Sequence, residues 1–202
     1  MANSFVGYPY KLVLRVIAVL LMVVFVVSCS SPRPPSKPHD LCSIFREKPS
    51  WYKAAKKSQE RWGTPVQIMM SIMYHESSFR HDAQPPRPWF LFIPLPRKSS
   101  AYGYAQAQDP VWGEYLEDAA GWFADRDSFS DAIDFIGWYN HKSRKANGVT
   151  LWQADLLYLN YHEGWGGFRR GSWKSKSWLK KVAKKVQRRA NEYGAQLRGC
   201  NL

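Results

Sequence analysis

The sequence lacks long hydrophobic runs, strand-like alternation and a zinc-binding helix motif, and each absence excludes a class of protein. Its uncharged apolar run, residues 16–27, is shorter than the about 20 residues that a membrane-spanning helix needs. No segment alternates strongly between polar and apolar residues except a short hairpin near 89–93, so a β-sheet domain is excluded. A zincin helix needs histidine four residues after His75, where Phe79 stands. We therefore expect no metal and no cofactor.

The N-terminus has the pattern of a targeting segment. Lys11 and Arg15 precede the apolar run 16–27, which ends in Val-Val-Ser-Cys29. These residues look like a lipobox, whose cysteine becomes acylated and N-terminal. Ser30 stands where an inner-membrane retention signal has Asp, which by resemblance favours the inner leaflet of the outer membrane. An ordinary signal peptide and a single membrane anchor are the alternatives.

Export also explains the few cysteines. Three are present, and setting Cys29 aside leaves Cys42 and Cys200 at the two ends of the remaining chain. In an oxidising periplasm these two favour a disulfide, although two unpaired thiols remain an alternative. The predicted division is a lipoprotein signal peptide over 1–28, a Pro-rich tether over 29–40 and a folded domain over 41–202.

One acidic residue stands out in the folded part. Glu76 follows Met73, Met69 and Val66 at intervals of three, seven and ten residues, which places all four on one stripe of a helix. The segment 64–67, Thr-Pro-Val-Gln, predicts a capping box at the start of this helix. A carboxyl beside apolar side chains has a raised pKa, as a proton donor at neutral pH needs. A solvated Glu at a frayed helix end is the alternative.

Periodicity and capping signals predict further helices, so the class is mainly α. They are expected over 51–62, 110–122, 128–145, 150–161 and 173–197. The last helix combines a core stripe that includes Leu179, Val186 and Tyr193 with a face crowded by Lys and Arg. That face is either simply solvated or a basic surface that attracts anions of the wall or membrane.

Three short motifs resemble the soluble-type (SLT) lytic transglycosylases of the lysozyme-like superfamily, which cleave peptidoglycan. They are Glu76-Ser-Ser-Phe79, Gly103-Tyr-Ala-Gln106 and Tyr161-His-Glu-Gly164, in the family's order and over roughly half of the chain. The resemblance implies a lysozyme-like single domain of the goose-type lysozyme/SLT kind. This chain departs from the family's pattern at two places: Tyr104-Ala105 within the second motif, and His162 directly after Tyr161 in the third. The insert over 84–96 is expected to form a Pro-rich loop at the cleft.

The resemblance also implies roles for individual residues. Glu76 would be the single general acid and base, which releases a 1,6-anhydro-N-acetylmuramic acid end. Ser77 would position it, while Tyr104 and Gln106 would contact the substrate. Tyr161 would lie opposite Glu76 and hydrogen-bond its carboxyl.

Trp165, which has glycines on both sides, is singled out as a cleft wall that binds a sugar ring.

The charge of the chain must be consistent with that substrate. The chain has 29 Lys and Arg against 16 Asp and Glu, a net charge of +13. Such an excess often indicates nucleic acid, but export argues against that partner. Peptidoglycan stem-peptide carboxylates and anionic lipids remain, reached by a monomer tethered in the periplasm through its lipid anchor.

Two alternative functions stay open. Glu163 could supply a second carboxylate, which would make the protein a hydrolytic muramidase like goose-type lysozyme. His162 and the altered second motif also fit a lipoprotein that binds the cell wall without cleaving it.

Overall fold

The computed structural model of the protein describes residues 13–17 and 33–202. The chain divides into two compact units, Met1–Arg33 and Pro34–Leu202. Residues 13–17 of the first unit are helical and exposed, while Cys29 of the predicted lipobox lies outside the described residues. Among the described residues, no helix combines the length and apolar character that crossing a membrane requires.

The second unit is mainly helical, with loops and one short hairpin between the helices, so the predicted mainly α class is confirmed. Its helices are α1 (Leu41–Glu47), α2 (Pro49–Trp62), α3 (Val66–Ser77), α4 (Asp109–Tyr115), a π-helical turn (Leu116–Ala120), α5 (Phe129–Asn147), α6 (Ala154–Arg170) and α7 (Ser177–Arg198). Strands β1 (Trp89–Phe90) and β2 (Ile93–Pro94) pair antiparallel. They form the hairpin that the sequence predicts near 89–93.

The helix that carries Glu76 is the centre of the core. α3 packs against α2, α5, α6 and α7. Its side chains from Ile68 to Met73 are all buried, on every side of the helix, as expected for a helix enclosed by others. The environment of Glu76 is therefore held from several directions.

The start of α3 differs from the predicted capping box. Pro65 is the N-cap residue, and no side chain of this segment caps the helix. The N–H of Val66 donates instead to Oε1 of Gln59 on α2, at 2.9 Å. Thr64 Oγ1 is buried without a hydrogen-bond partner among the described residues. A long-range contact thus replaces the local cap, because Gln59 is already held in place by α2.

The two ends of the unit are joined. Cys42 and Cys200 form a disulfide with a Cα–Cα distance of 5.7 Å, the pairing that the sequence favours. The side chain of Gln196 on α7 accepts from the N–H of Leu41 at 2.7 Å and donates to the carbonyl of His39 at 3.0 Å. The first and last helices therefore lie side by side.

The segment expected to be a free tether is partly bound to the domain. Pro35 is buried. The N–H and hydroxyl of Ser36 donate to Glu47 at 2.9 and 2.8 Å, and the Tyr193 hydroxyl donates to the carbonyl of Pro38. The core and the disulfide all lie within Pro34–Leu202, so this unit contains what it needs to fold on its own.

Candidate active site

Glu76 lies in the last turn of α3 with its side chain partly buried. Burial raises the pKa of its carboxyl to about 7, and a hydrogen bond from the Tyr158 hydroxyl partly opposes this rise. Since the pKa is close to neutral pH, the carboxyl can both donate a proton and take one back under physiological conditions. The predicted raised pKa thus has a structural cause in the buried end of α3.

The partner of Glu76 is a residue that the sequence analysis missed. Tyr158, on α6, is buried, and its hydroxyl donates to the Glu76 carboxylate. Tyr161, expected in that role, instead donates to the carbonyl of Ala105 at 2.5 Å. Tyr158 therefore takes the role beside Glu76 that was predicted for Tyr161. The spacing of three between the two tyrosines, which places them on one helix face, is the signal that could have found Tyr158.

A strained turn follows Glu76. Ser78 and Phe79 both adopt left-handed backbone conformations, with φ of 52° and 62°. Such conformations cost non-glycine residues about 1–2 kcal/mol each. The Phe79 ring is fully buried, 5.9 Å from Trp51 and 5.8 Å from Tyr74 between ring centroids. Burial of this ring offsets the strain and fixes the direction in which the chain leaves Glu76.

The Gly-Tyr-Ala-Gln motif forms a tight turn. Gly103 has φ 74°, and a Cβ there would lie 2.1 Å from the carbonyl oxygen of Arg126, so only glycine fits. The side-chain amide of Gln106 donates to the carbonyls of Ala83 at 2.7 Å and Gly103 at 3.0 Å. Gln106 therefore holds the turn closed and ties it to Ala83, the residue that precedes the Pro-rich insert.

A glycine also shapes α6. Gly164 has φ 71° and ψ 161°, which interrupts the helix just after Tyr161. A cavity of about 310 Å³ opens at this kink. Its lining residues are Gln106, Ala107, Gln108, Pro110, Val111, Phe135, Tyr139, Tyr161, His162, Glu163 and Gly164.

Glu76 does not line this cavity. Burial raises the pKa of the Tyr161 hydroxyl well above its usual value, and the negative charge of Glu76 raises it further. Tyr161 thus lines the cavity and also senses the charge of the candidate acid. Gln106 and Tyr161, from the second and third motifs, meet in this cavity.

Tyr104, expected to contact the substrate, and Ser77, expected to position Glu76, are both buried. Tyr104 is 1 % exposed, with its ring 5.6 Å from Trp51 and 5.8 Å from Phe129. Burial raises its pKa to about 12. Its side chain is thus part of the core, which corrects the expected substrate contact. Ser77 is buried and donates to the carbonyl of Met73 at 3.3 Å, so its hydroxyl belongs to the end of α3.

Trp165 is held by neighbouring side chains on α5. Its indole N–H donates to the Ser143 hydroxyl at 3.0 Å, and its ring stacks on Tyr139 at 4.8 Å. It does not line the cavity. Trp165 thus packs partly buried on α5, and its role as a cleft wall stays a prediction. Tyr139, on which it stacks, lines the cavity together with Phe135 and Tyr161.

Glu163, the candidate second carboxylate, is held in place by three neighbouring side chains. Its carboxylate accepts from Lys176 at 2.7 Å, from His162 at 3.0 Å and from the Ser172 hydroxyl. Burial alone would raise its pKa, but the hydrogen bonds from Lys176, Ser172 and His162 together lower it to about 2. A carboxylate so weakly basic and so well satisfied is suited to holding the kinked helix in place.

Within the described ranges, no group of three or more His, Cys, Asp or Glu side chains is placed to hold a metal ion. The fold and the site thus define a helical, lysozyme-like domain with one candidate acid at the end of a buried helix. The chain belongs to the transglycosylase SLT domain family, whose model matches residues 17–200. This membership places it among the peptidoglycan lytic transglycosylases, which bind peptidoglycan. No curated protein and no solved structure matches the chain.

Proposed function

We propose that the protein cleaves the β-1,4 bond between N-acetylmuramic acid and N-acetylglucosamine in peptidoglycan and leaves a 1,6-anhydro end, with Glu76 as the only acid and base. The observation that carries this proposal is the Glu76 carboxyl, partly buried and with a pKa of about 7. Burial and the Tyr158 hydrogen bond cause this value, and no carboxylate in the described part of the chain contributes to it. A lone carboxyl of this kind suits a mechanism that needs only one.

The chemistry balances without water. Protonated Glu76 donates its proton to the glycosidic oxygen as the bond from that oxygen to C1 of N-acetylmuramic acid breaks. The resulting carboxylate accepts a hydrogen bond from Tyr158. It then removes the proton from the C6 hydroxyl of the same N-acetylmuramic acid. O6 bonds to C1, and Glu76 is protonated again. An intramolecular hydroxyl can reach an effective molarity of roughly 10⁵ to 10⁸ M, far above that of water.

The hydrolytic alternative needs a group that activates water. Glu163 is the available candidate, but Lys176, Ser172 and His162 occupy its oxygens and hold its pKa at about 2. A base of that pKa removes a proton from water poorly near neutral pH. This supports the transglycosylase reaction over the muramidase.

Mass spectrometry of muropeptides tests the proposal directly. Purified peptidoglycan is digested with the unit Pro34–Leu202, and the released products are weighed. Products lighter by one water, with 1,6-anhydro ends, are expected. Reducing ends would instead establish a muramidase, and bound but uncleaved peptidoglycan would leave a wall-binding protein.

Replacing Tyr158 tests how Glu76 is tuned. Because the Tyr158 hydrogen bond lowers the pKa of Glu76, Tyr158→Phe should raise that pKa further. The alkaline limb of the pH–activity profile is then expected to move to higher pH. Tyr161→Phe, which loses a hydrogen bond to Ala105 instead, is the matched control and should leave the limb in place. An identical shift in both variants would contradict the assignment.

We also propose that the protein is anchored by an acylated Cys29 in the periplasm, on the outer membrane. The disulfide supports an oxidising compartment. After a high-salt wash that removes electrostatic binding, the full-length protein should stay with membranes and Cys29→Ala should be soluble. Retention of Cys29→Ala through that wash would show that membrane attachment does not depend on Cys29.

A further inference from the structure

The hairpin of β1 and β2 projects from the domain with both faces exposed. Every residue from 89 to 98 is exposed. Five consecutive apolar side chains, Trp89, Phe90, Leu91, Phe92 and Ile93, are between 62 % and 89 % exposed. A hairpin that packed on the core would bury one face, and this one buries neither. A contiguous apolar surface of this kind marks an interaction site.

The base of the hairpin is basic. Arg87, Arg97 and Lys98 flank the apolar tip, and no Asp or Glu occurs between residues 84 and 98. The Arg97 guanidinium donates to the carbonyl of Pro85 and closes the neck of the hairpin. An apolar tip above a ring of cations is the arrangement of segments that lie in the surface of an anionic membrane.

A second exposed aromatic loop lacks this charge pattern. Trp122 and Phe123 are 79 % and 100 % exposed. Residues 117–127 around them carry four acidic side chains against one basic side chain, Arg126, so the loop is acidic. Anionic lipids would repel that loop. Of these two aromatic surfaces, the hairpin is the one whose charge complements an anionic membrane.

We propose that the hairpin docks the domain on an anionic lipid surface. The tip enters the interface between head groups and acyl chains, where aromatic rings are favoured, and Arg87, Arg97 and Lys98 bind the lipid phosphates. This contact is reversible and independent of Cys29. Because Gln106 binds the carbonyl of Ala83 at the base of the insert, docking would also fix the orientation of the candidate site relative to the membrane.

Flotation with lipid vesicles tests the docking. The unit Pro34–Leu202, which carries no lipid anchor, is mixed with vesicles of phosphatidylcholine alone or with added phosphatidylglycerol. We expect binding to the anionic vesicles. Phe92→Ser should weaken it about tenfold or more, and Arg87→Gln about fivefold. Both side chains are exposed, so the unfolding temperature should not change.

Phe123→Ser is the matched control, since it removes an equally exposed ring from the acidic loop and should bind vesicles like the wild type. Absence of flotation, equal binding to neutral vesicles or an equal loss in Phe123→Ser would overturn the proposal. So would a wild-type dimer that Phe92→Ser converts to a monomer without a change in vesicle binding. Weaker binding of Phe92→Ser to peptidoglycan, with vesicle binding intact, would assign the hairpin to the glycan and also overturn it.

Discussion

Glu76→Gln is expected to lower glycan cleavage by about 10²- to 10⁴-fold, the range over which general acid–base groups contribute to catalysis. The amide keeps the shape of the side chain but can neither donate the proton to the glycosidic oxygen nor take it from the C6 hydroxyl. The measurement is the rate of release of anhydro-muropeptides at pH 7. A variant that keeps more than a few per cent of the activity would show that another group is the acid.

The same substitution has an expected effect on stability that depends on pH. The pKa of Glu76 is about 7 in the folded protein against 4.5 for the free side chain. The folded state therefore holds its proton more tightly than the unfolded state does. The contribution of Glu76 to the free energy of unfolding is therefore highest below pH 4.5 and falls as the pH rises from 4.5 through 7. The difference corresponds to at most roughly 3 kcal/mol, an upper limit because solvent reaches part of the side chain.

Since Gln carries no charge at any pH, Glu76→Gln escapes this loss. At pH 8 the variant should be more stable than the wild type by up to roughly 3 kcal/mol, and at pH 4 the two should be nearly equal. Denaturant unfolding at both pH values measures this. Equal stability at both would mean that the Glu76 carboxyl is solvated in solution, as in the alternative reading of the sequence.

Glu163→Gln is the matched control because this carboxyl has the opposite behaviour. Its pKa of about 2 in the folded protein lies below the 4.5 of the free side chain. It therefore stabilises the fold above pH 4.5, and this contribution is lost as the pH falls towards 2. Glu163→Gln should thus be less stable than the wild type at pH 7, whereas Glu76→Gln should be at least as stable. This contrast distinguishes Glu76, whose charged form destabilises the fold, from Glu163, whose charged form stabilises it.

Features that depend on the local sequence, such as helix positions and core-facing stripes, could be predicted from it. The helix predicted over 128–145 is α5, which ends at Asn147, and Gly148 follows with φ 68°, a left-handed conformation that favours glycine. The core stripe of α7 was predicted from its period, and Leu179, Val186 and Tyr193 are buried. The predicted apolar stripe of Val66, Met69 and Met73 is likewise buried on α3.

The periodicity of the sequence could not predict contacts between distant segments. The cap of α3 comes from Gln59 on another helix, and no local pattern indicates it. The side chain of Tyr104 points into the core because the turn at Gly103 directs it there. The residues of a turn follow no regular spacing, so the sequence pattern does not predict this direction. Arg189 belongs to the basic face of α7, yet its guanidinium lies 4.8 Å from the ring centroid of Tyr74 on α3, a contact that periodicity does not indicate. The motif resemblance predicted the site residues, and the structure shows which of them line the cavity and which are buried in the core.

Removal of the disulfide is expected to cause the largest loss of stability. The bond closes a loop with a sequence separation of 158. In the chain-entropy model a loop of this length contributes on the order of 5 kcal/mol, because it restricts the unfolded chain. For a domain of this size the double variant Cys42→Ser, Cys200→Ser should unfold about 10 to 20 °C lower. Thermal unfolding followed by circular dichroism, with and without a reducing agent, measures the change.

The folded state should survive this loss. Gln196 still joins α7 to Leu41 and His39, and Tyr193 still donates to Pro38, so the seam between the chain ends persists without the covalent bond. The double variant should therefore cleave peptidoglycan at 25 °C like the wild type, and reducing agent should not affect its unfolding. An unfolding temperature of the wild type that is the same with and without reduction would show that the bond does not form in solution.

The denaturant dependence separates the two ways in which the bond can stabilise the protein. If it acts on the unfolded chain, its removal lets that chain expand and expose more surface, so the m-value of unfolding should rise as the midpoint falls. If it acts by holding the native seam, the midpoint should fall with an unchanged m-value. Because Gln196 and Tyr193 already hold the seam, we expect the first result.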